Sequence, residues 1–191
     1  MHINTHVALG IILSLIYSYF ISQIFINVIA IFSMSFLIDF DFLFSKYAKN
    51  RNHRVLPTHG IIIYLILLPF GVFFPIFSFL GLAGLIHILI DCLDWGVGIF
   101  SPFSKKIYFG ILPKPSKEII NDDSLRRRQC WFISTYYKSK ILMFVDILII
   151  GISIILLFLI NVWYWWYYLI YSFFLALHIT SYFRCKKQKD K

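Results

Sequence analysis

Residues 60–90 read GIIIYLILLPFGVFFPIFSFLGLAGLIHILI, and residues 91–96 close the stretch with DCLDWG. The run contains no Asp, Glu, Lys or Arg. A helix needs roughly 20 apolar residues to cross the hydrocarbon core of a bilayer, so this run exceeds one crossing. Pro69, Gly71 and Pro75 interrupt it near the middle, which predicts two helices joined by a turn near Pro69–Pro75. Residues 7–38 and 147–177 are equally free of charge. They predict two further hairpins, with turns near Ser22–Gln23 and near Asn161. Backbone groups inside lipid must hydrogen-bond within the protein, which leaves helices or closed barrels, and a barrel would show short alternating segments. The expected fold is therefore all-α: a polytopic transmembrane helical bundle of about six spans arranged as three hairpins, with four or five spans as the alternative count. The first run lacks a basic n-region and a small-residue cleavage site, so it reads as a span, not a cleavable signal.

The rest of the chain fits this frame. Of 191 residues, 60% are hydrophobic and 14% charged, against about 25% charged in an ordinary soluble domain. Mean hydropathy is +0.78. The formal net charge is +9, from 18 basic and 9 acidic residues. The basic residues fall between or after the apolar runs: Lys46, Lys49, Arg51 and Arg54 in the first loop, nine in residues 98–140, and a basic tail from Arg184. That distribution reads as a positive-inside topology signal, not as a nucleic-acid surface. It places both termini and the 98–140 segment in the cytoplasm, at a cell membrane crossed several times. Three parts result: a membrane domain over 1–103, a basic loop over 104–140, and a C-terminal hairpin with its tail over 141–191. Trp163 to Tyr168 read as an aromatic belt at the outer interface. Cys92, Cys130 and Cys185 show no pairing pattern and predict no disulfide.

On this topology the ionisable residues gather at one membrane face. His6 opens the first span, Asp39 and Asp41 end the second, His53 and His59 precede the third, and His87, Asp91 and Asp94 close the fourth. His87, Asp91 and Asp94 are spaced i, i+4, i+7 and share a helix face with Gly84, where a glycine lets a neighbouring helix approach. Asp39 and Asp41 would point apart on a regular α-helix. They serve one site only if the helix ends or unwinds there. Imidazole and carboxylate are ligands for Zn, Mn or Fe, and a bound cation offsets the cost of acids at membrane depth. His6, Asp39, Asp41, His53, His59, His87 and Asp91 are thus the candidate ligands of one or two divalent ions, Zn or Mn above others. His2, Cys92 and His178 are set aside. Asp146 reads as structural, paired with Lys138 or Lys140 or with its helix N-terminus.

The ordered motifs Thr5-His6, Asp39-x-Asp41, His53-Arg54…Thr58-His59 and Gly84-x-x-His87-x-x-x-Asp91, followed by Gly96-Val97 and Pro102, resemble the membrane-bound metal-dependent hydrolases of the YdjM/YfhP type. The resemblance covers roughly residues 1–103. It departs from the family pattern in the His53-to-His59 spacing, at Gly60 and at Ile38. It implies a multi-span membrane protein with a divalent-metal site and hydrolase activity. Two-metal sites suit phosphate chemistry, and the Arg54 guanidinium suits a bidentate phosphate contact. The expectation is a hydrolase acting at the cytoplasmic membrane face on a phosphoester or lipid-linked substrate, with Arg54 stabilising developing charge and Asp41 as ligand or general base. A non-enzymatic metal protein, carrier or sensor, would use the same residues. An interaction protein binding through its basic loop would leave the His/Asp pattern unexplained.

Overall fold

The computed structural model describes residues 3–48, 52–104, 106–116, 118–119, 125–160 and 162–189. Lys49, Arg51, Lys105 and the Asn161 turn lie outside the described residues. Among the described residues the helices run in the order α1 Ile3–Phe20, α2 Phe25–Leu37, α3 Ile61–Phe70, α4 Pro75–Leu93, α5 Leu125–Tyr136, α6 Lys140–Ile160 and α7 Tyr167–Lys189. Short 3-10 stretches cover Ile38–Tyr47, His53–Val55, Pro57–His59 and Val162–Trp166. Among the described residues the only β pairing is an isolated antiparallel bridge between Val97 and Tyr108.

Local chemistry explains the boundaries in the 60–90 run. Pro69 sits in the last turn of α3, which stops at Gly71. Pro75 occupies the first turn of α4, where its missing N–H costs nothing. Among the described residues, four segments are long and apolar enough to cross a membrane: Ile3–Phe20, Phe25–Tyr47, Pro75–Leu93 and Lys140–Ile160. Six were expected, and the difference has a physical cause at each of the other two. α3 has 10 residues, a rise of roughly 15 Å against a hydrocarbon core of about 30 Å. α7 is long enough but mixes Ser, Thr, Tyr and basic residues into its run.

α1 is the hub. Of its apolar window 72% is buried, against 22% for α6, and it packs on α2, α4, α6 and α7. Val7, Ile11 and Leu15 of α1 meet Val28, Ile31 and Phe32 of α2 in the main core. At Gly10 an added Cβ would lie 2.6 Å from the Phe32 carbonyl oxygen, so the two backbones approach there as only glycine allows. α6 instead exposes Ile141, Phe144, Ile147, Ile155 and Phe158, the surface expected of a helix in contact with lipid.

Three expectations need correction. Cys130 and Cys185 are paired, joining α5 to α7; the contact depends on how those two helices pack, which spacing along the chain does not encode. Asp146 pairs with neither Lys138 nor Lys140. It accepts hydrogen bonds from Thr5 and Tyr136, tying α1, α5 and α6 together. The aromatic run 163–168 divides: Trp163 and Trp165 are exposed, whereas Tyr164 and Tyr167 belong to the core. Tyr167 stacks on Phe32 at 4.3 Å between ring centroids.

The stretch after α4 folds back onto the chain before α3. Gly98 N–H donates to the Arg54 carbonyl at 2.8 Å, Ile61 N–H to the Ile99 carbonyl at 2.9 Å, and Ser101 Oγ to the Val55 carbonyl at 2.7 Å. α5 then packs on Trp95 through Trp131, Phe132 and Tyr136. The stretch from Gly96 to Ser101 and α5 thus both pack at the end of α4 that carries Asp91 and Asp94.

Candidate metal centre

Four chain segments deliver the site. α1 brings His6, α4 brings His87 and Asp91, the 3-10 stretch after α2 brings Asp39 and Asp41, and the loop before α3 brings His53 and His59. The change from α to 3-10 geometry at Ile38 solves the Asp39/Asp41 problem. At three residues per turn the two carboxylates stand about 120° apart instead of nearly opposite, and both reach the same cluster from different sides.

Three imidazole Nε2 atoms converge on two carboxylates. His6 Nε2 is 3.1 Å from Asp91 Oδ1 and 3.7 Å from Asp39 Oδ2. His59 Nε2 is 3.4 Å from Asp91 Oδ2 and 3.9 Å from Asp39 Oδ1. His87 Nε2 is 3.7 Å from Asp91 Oδ2 and 3.6 Å from Asp39 Oδ1. Ligand atoms about 2.1 Å from one ion lie roughly 3.0–3.4 Å from each other, so these spacings need little adjustment to close on a cation. His6, Asp39, His87 and Asp91 offer ligand atoms all within 4.8 Å of one another, and Asp39, His53 and His59 form a second such group. His6 and His87 stack with ring centroids 3.9 Å apart.

The surrounding hydrogen bonds orient the rings. His87 Nδ1–H donates to the Ser35 carbonyl at 2.8 Å, which leaves its Nε2 as the lone-pair nitrogen. His59 Nδ1–H donates to Asp41 Oδ2 at 3.0 Å with the same effect. Both Nε2 atoms are buried and make no hydrogen bond. A buried acceptor without a donor is costly, and a cation is the partner whose chemistry suits a nitrogen facing carboxylates. The donor set is nitrogen and oxygen only, which suits Zn, Mn or Fe over soft thiophilic ions. These buried His and Asp groups could hold a metal ion.

Asp41 stands behind the centre. Its Oδ1 accepts from His53 Nδ1–H at 2.8 Å and its Oδ2 from His59 and from Thr58 Oγ1, so it orients imidazoles and joins neither ligand group. Arg54 was expected to face substrate. Instead its guanidinium is buried and forked onto Asp94, with Nη2 3.0 Å from Asp94 Oδ2 and 3.3 Å from Asp91 Oδ1. The sequence showed only that Asp94 lies one turn beyond Asp91 on the same face; which cation compensates it depends on how the loop before α3 folds onto α4. Burial alone would lower the Arg54 pKa, but the Asp91 and Asp94 carboxylates raise it and hold the group charged. Burial would likewise raise Asp94, and the Arg54 guanidinium holds it below the usual carboxylate range. For His59 burial would lower the pKa, but the hydrogen bond to Asp41 and the Asp91 carboxylate push it up to about 9, so a cation bound at Nε2 would displace a proton held there. The Ser35 carbonyl and the Thr5–Asp146 contact were not foreseen; the first is a backbone group and carries no side-chain signal.

Access is narrow. His6, His59, His87 and Asp91 are fully or almost fully buried, and the side chains that reach the surface are Asp39, 14% exposed, and His53, 24% exposed. Comparison with protein-family models, with curated proteins and with solved structures gives no match.

Proposed function

We propose that this chain is a membrane-embedded, metal-dependent hydrolase that acts at one membrane face on a phosphoester, with a lipid-linked phosphate as the substrate class. The observation that carries the reading is the convergence of His6, His59 and His87 Nε2 on the Asp39 and Asp91 carboxylates, with every spacing between 3.1 and 3.9 Å. Asp39 belongs to both ligand groups, the sharing that would let one carboxylate serve two ions. A divalent ion, Zn or Mn, would supply Lewis-acid activation of water and neutralise charge on a phosphoryl oxygen.

The chain's own side chains divide the remaining work. Asp41 and the Ser35 carbonyl fix the tautomers of His59 and His87. Arg54 is a positioning residue in this reading: it neutralises Asp91 and Asp94 and locks the loop before α3 to the end of α4. His53 is the most exposed imidazole of the group and is anchored at Nδ1 by Asp41, so it would hold the second ion at the mouth of the centre, with Asp39 and His59. The bundle is read as six passes in three hairpins, with α3 and α7 completing the set. By the positive-inside rule the centre and both termini face the cytoplasm of a cell membrane. The bilayer is the partner, no nucleic acid is involved, and oligomeric state is left open.

A second reading, a non-enzymatic carrier or sensor of divalent metal, is favoured by the deep burial of four of the five central residues. One experiment separates the two. Metal content and hydrolysis of a phosphatidic acid and an aryl phosphate are measured on detergent-purified wild type and His87→Ala. The hydrolase reading expects one or two equivalents of divalent metal and turnover in wild type, with both reduced at least tenfold in His87→Ala. Metal without turnover supports the carrier or sensor. Absence of metal in wild type after growth in Zn- and Mn-supplemented medium removes both.

A further inference from the structure

A second polar feature lies away from the metal centre, in a cleft of about 240 Å³ between α5 and α7. Its polar side chains are Ser134, Tyr137 and Lys138 from the α5 end and Tyr182 and Lys186 from α7, and no carboxylate is among the described lining residues; the Ser134 hydroxyl donates to the Trp131 carbonyl at 3.0 Å. Two ammonium groups beside two tyrosines, with no acid among the described lining residues, select for an anion. The Cys130–Cys185 pair closes one wall, and the Tyr137 and Tyr182 rings meet at 4.8 Å to form another. The volume is several times that of one phosphate group.

Position decides the kind of anion. On α7 the outward apolar side chains Phe173, Leu177, Ile179 and Phe183 are exposed, and the chain then turns basic at Arg184 and Lys186. The cleft therefore sits where lipid-facing surface gives way to charged surface, the level of phospholipid headgroups. We infer that the α5/α7 cleft binds the phosphate headgroup of an anionic phospholipid, with Lys138 and Lys186 pairing its charge and the tyrosine walls packing on its glycerol. The opposite face of α5 carries Trp131, Phe132 and Tyr136 against Trp95, so the same helix contacts the chain beside Asp94 and lines the lipid site. The proposal does not rest on the hydrolase reading.

The test uses the full chain in nanodiscs of phosphatidylcholine with a minority of phosphatidylglycerol, released into the gas phase for native mass spectrometry. Wild type should retain phosphatidylglycerol in preference to phosphatidylcholine. Lys138→Gln/Lys186→Gln should lose that retention about 30-fold, since each basic residue near an anionic membrane contributes roughly a factor of five. Both lysines are exposed, so the variant should fold. The control is Lys46→Gln/Lys106→Gln, which removes the same charge from exposed positions elsewhere and should retain lipid as wild type does. Equal retention in wild type and Lys138→Gln/Lys186→Gln overturns the proposal, and so does equal loss in the control, which would mean charge acting without a site. In phosphatidylcholine-only discs, millimolar inorganic phosphate should leave intrinsic fluorescence unchanged. A saturable response there that Lys138→Gln/Lys186→Gln abolishes would assign the cleft to a soluble phosphate and overturn the lipid.

Discussion

The Arg54 guanidinium lies buried between two carboxylates, with Asp94 held by both of its terminal nitrogens and Asp91 by one. Its Nη1 also reaches the Asp91 carbonyl at 3.3 Å, so one side chain satisfies the C-terminal end of α4 and compensates two buried acids. Removing one partner of a buried ion pair leaves an uncompensated charge and costs about 3–5 kcal/mol. Arg54→Gln should therefore lower the thermal midpoint and the metal content together, because Asp91 is both its partner and a ligand. Arg54→Lys should recover part of each, since a single ammonium cannot reproduce the fork. The measurement is thermal unfolding and metal content on the same purified variants. An Arg54→Gln protein that keeps its metal and midpoint but loses turnover would return Arg54 to a substrate contact. At this scale the ligand types and their chain order were readable from the sequence, because His and Asp beside apolar runs stand out against lipid. The partner of Arg54 was not, because pairing across 40 positions depends on how the loop before α3 folds onto α4. Nor was the tautomer of His87, which is set by a main-chain carbonyl in the last turn of α2, where carbonyls lose their helical partners.

Between elements, the same centre depends on how closely α3 and α4 approach. A Cβ at Gly84 would fall inside contact distance of the Tyr64 ring, so α4 presents bare backbone where Tyr64 lies flat against it. Tyr64 Oη donates to the Thr58 carbonyl, and Thr58 Oγ1 in turn donates to Asp41. A shift of Tyr64 is thereby passed to the carboxylate that orients His59. Gly84→Ala should cost about 1–3 kcal/mol, the usual penalty of overpacking, and should lower metal affinity although Gly84 touches no ligand. Tyr64→Leu in the Gly84→Ala background should restore stability by making room, while metal affinity stays low because Thr58 has lost its anchor. Unfolding and metal titration of the two variants check this; a Gly84→Ala protein indistinguishable from wild type would mean the helices separate there. Glycine on the His87/Asp91 face was a sequence cue for close approach, and the fold bears out that cue through a particular ring. The α-to-3-10 change at Ile38 had a weaker signal: two acids two residues apart required the helix to end or unwind, but nothing in residues 38–47 names the geometry it takes.

For the whole molecule, every feature of interest lies at one end of the bundle, and the open question is which compartment that end faces. The basic residues Lys46, Lys138, Lys140, Arg184 and Lys186 flank the apolar helices on that side, and charge bias of this kind sets orientation toward the cytoplasm. The Cys130–Cys185 pair lies in the same segments, with Cα atoms 5.2 Å apart, and a persistent disulfide belongs to an oxidising compartment. The two indications oppose one another, and the charge distribution is the stronger, because many residues contribute to it while reduction of one cystine leaves the α5/α7 contact in place. With the basic end in the cytoplasm, the expected state in the cell is therefore two neighbouring thiols held together by the α5/α7 contact. In a Cys92→Ser background, a membrane-permeant maleimide applied to intact cells should modify both Cys130 and Cys185 without prior reduction, and an impermeant maleimide should modify neither. If both resist the permeant reagent until dithiothreitol is added, the cystine exists in the cell and the basic end faces the oxidising side. The metal centre would turn with it, because α5 carries Cys130 and also packs on Trp95 beside Asp94, and the substrate would then have to be sought outside the cytoplasm.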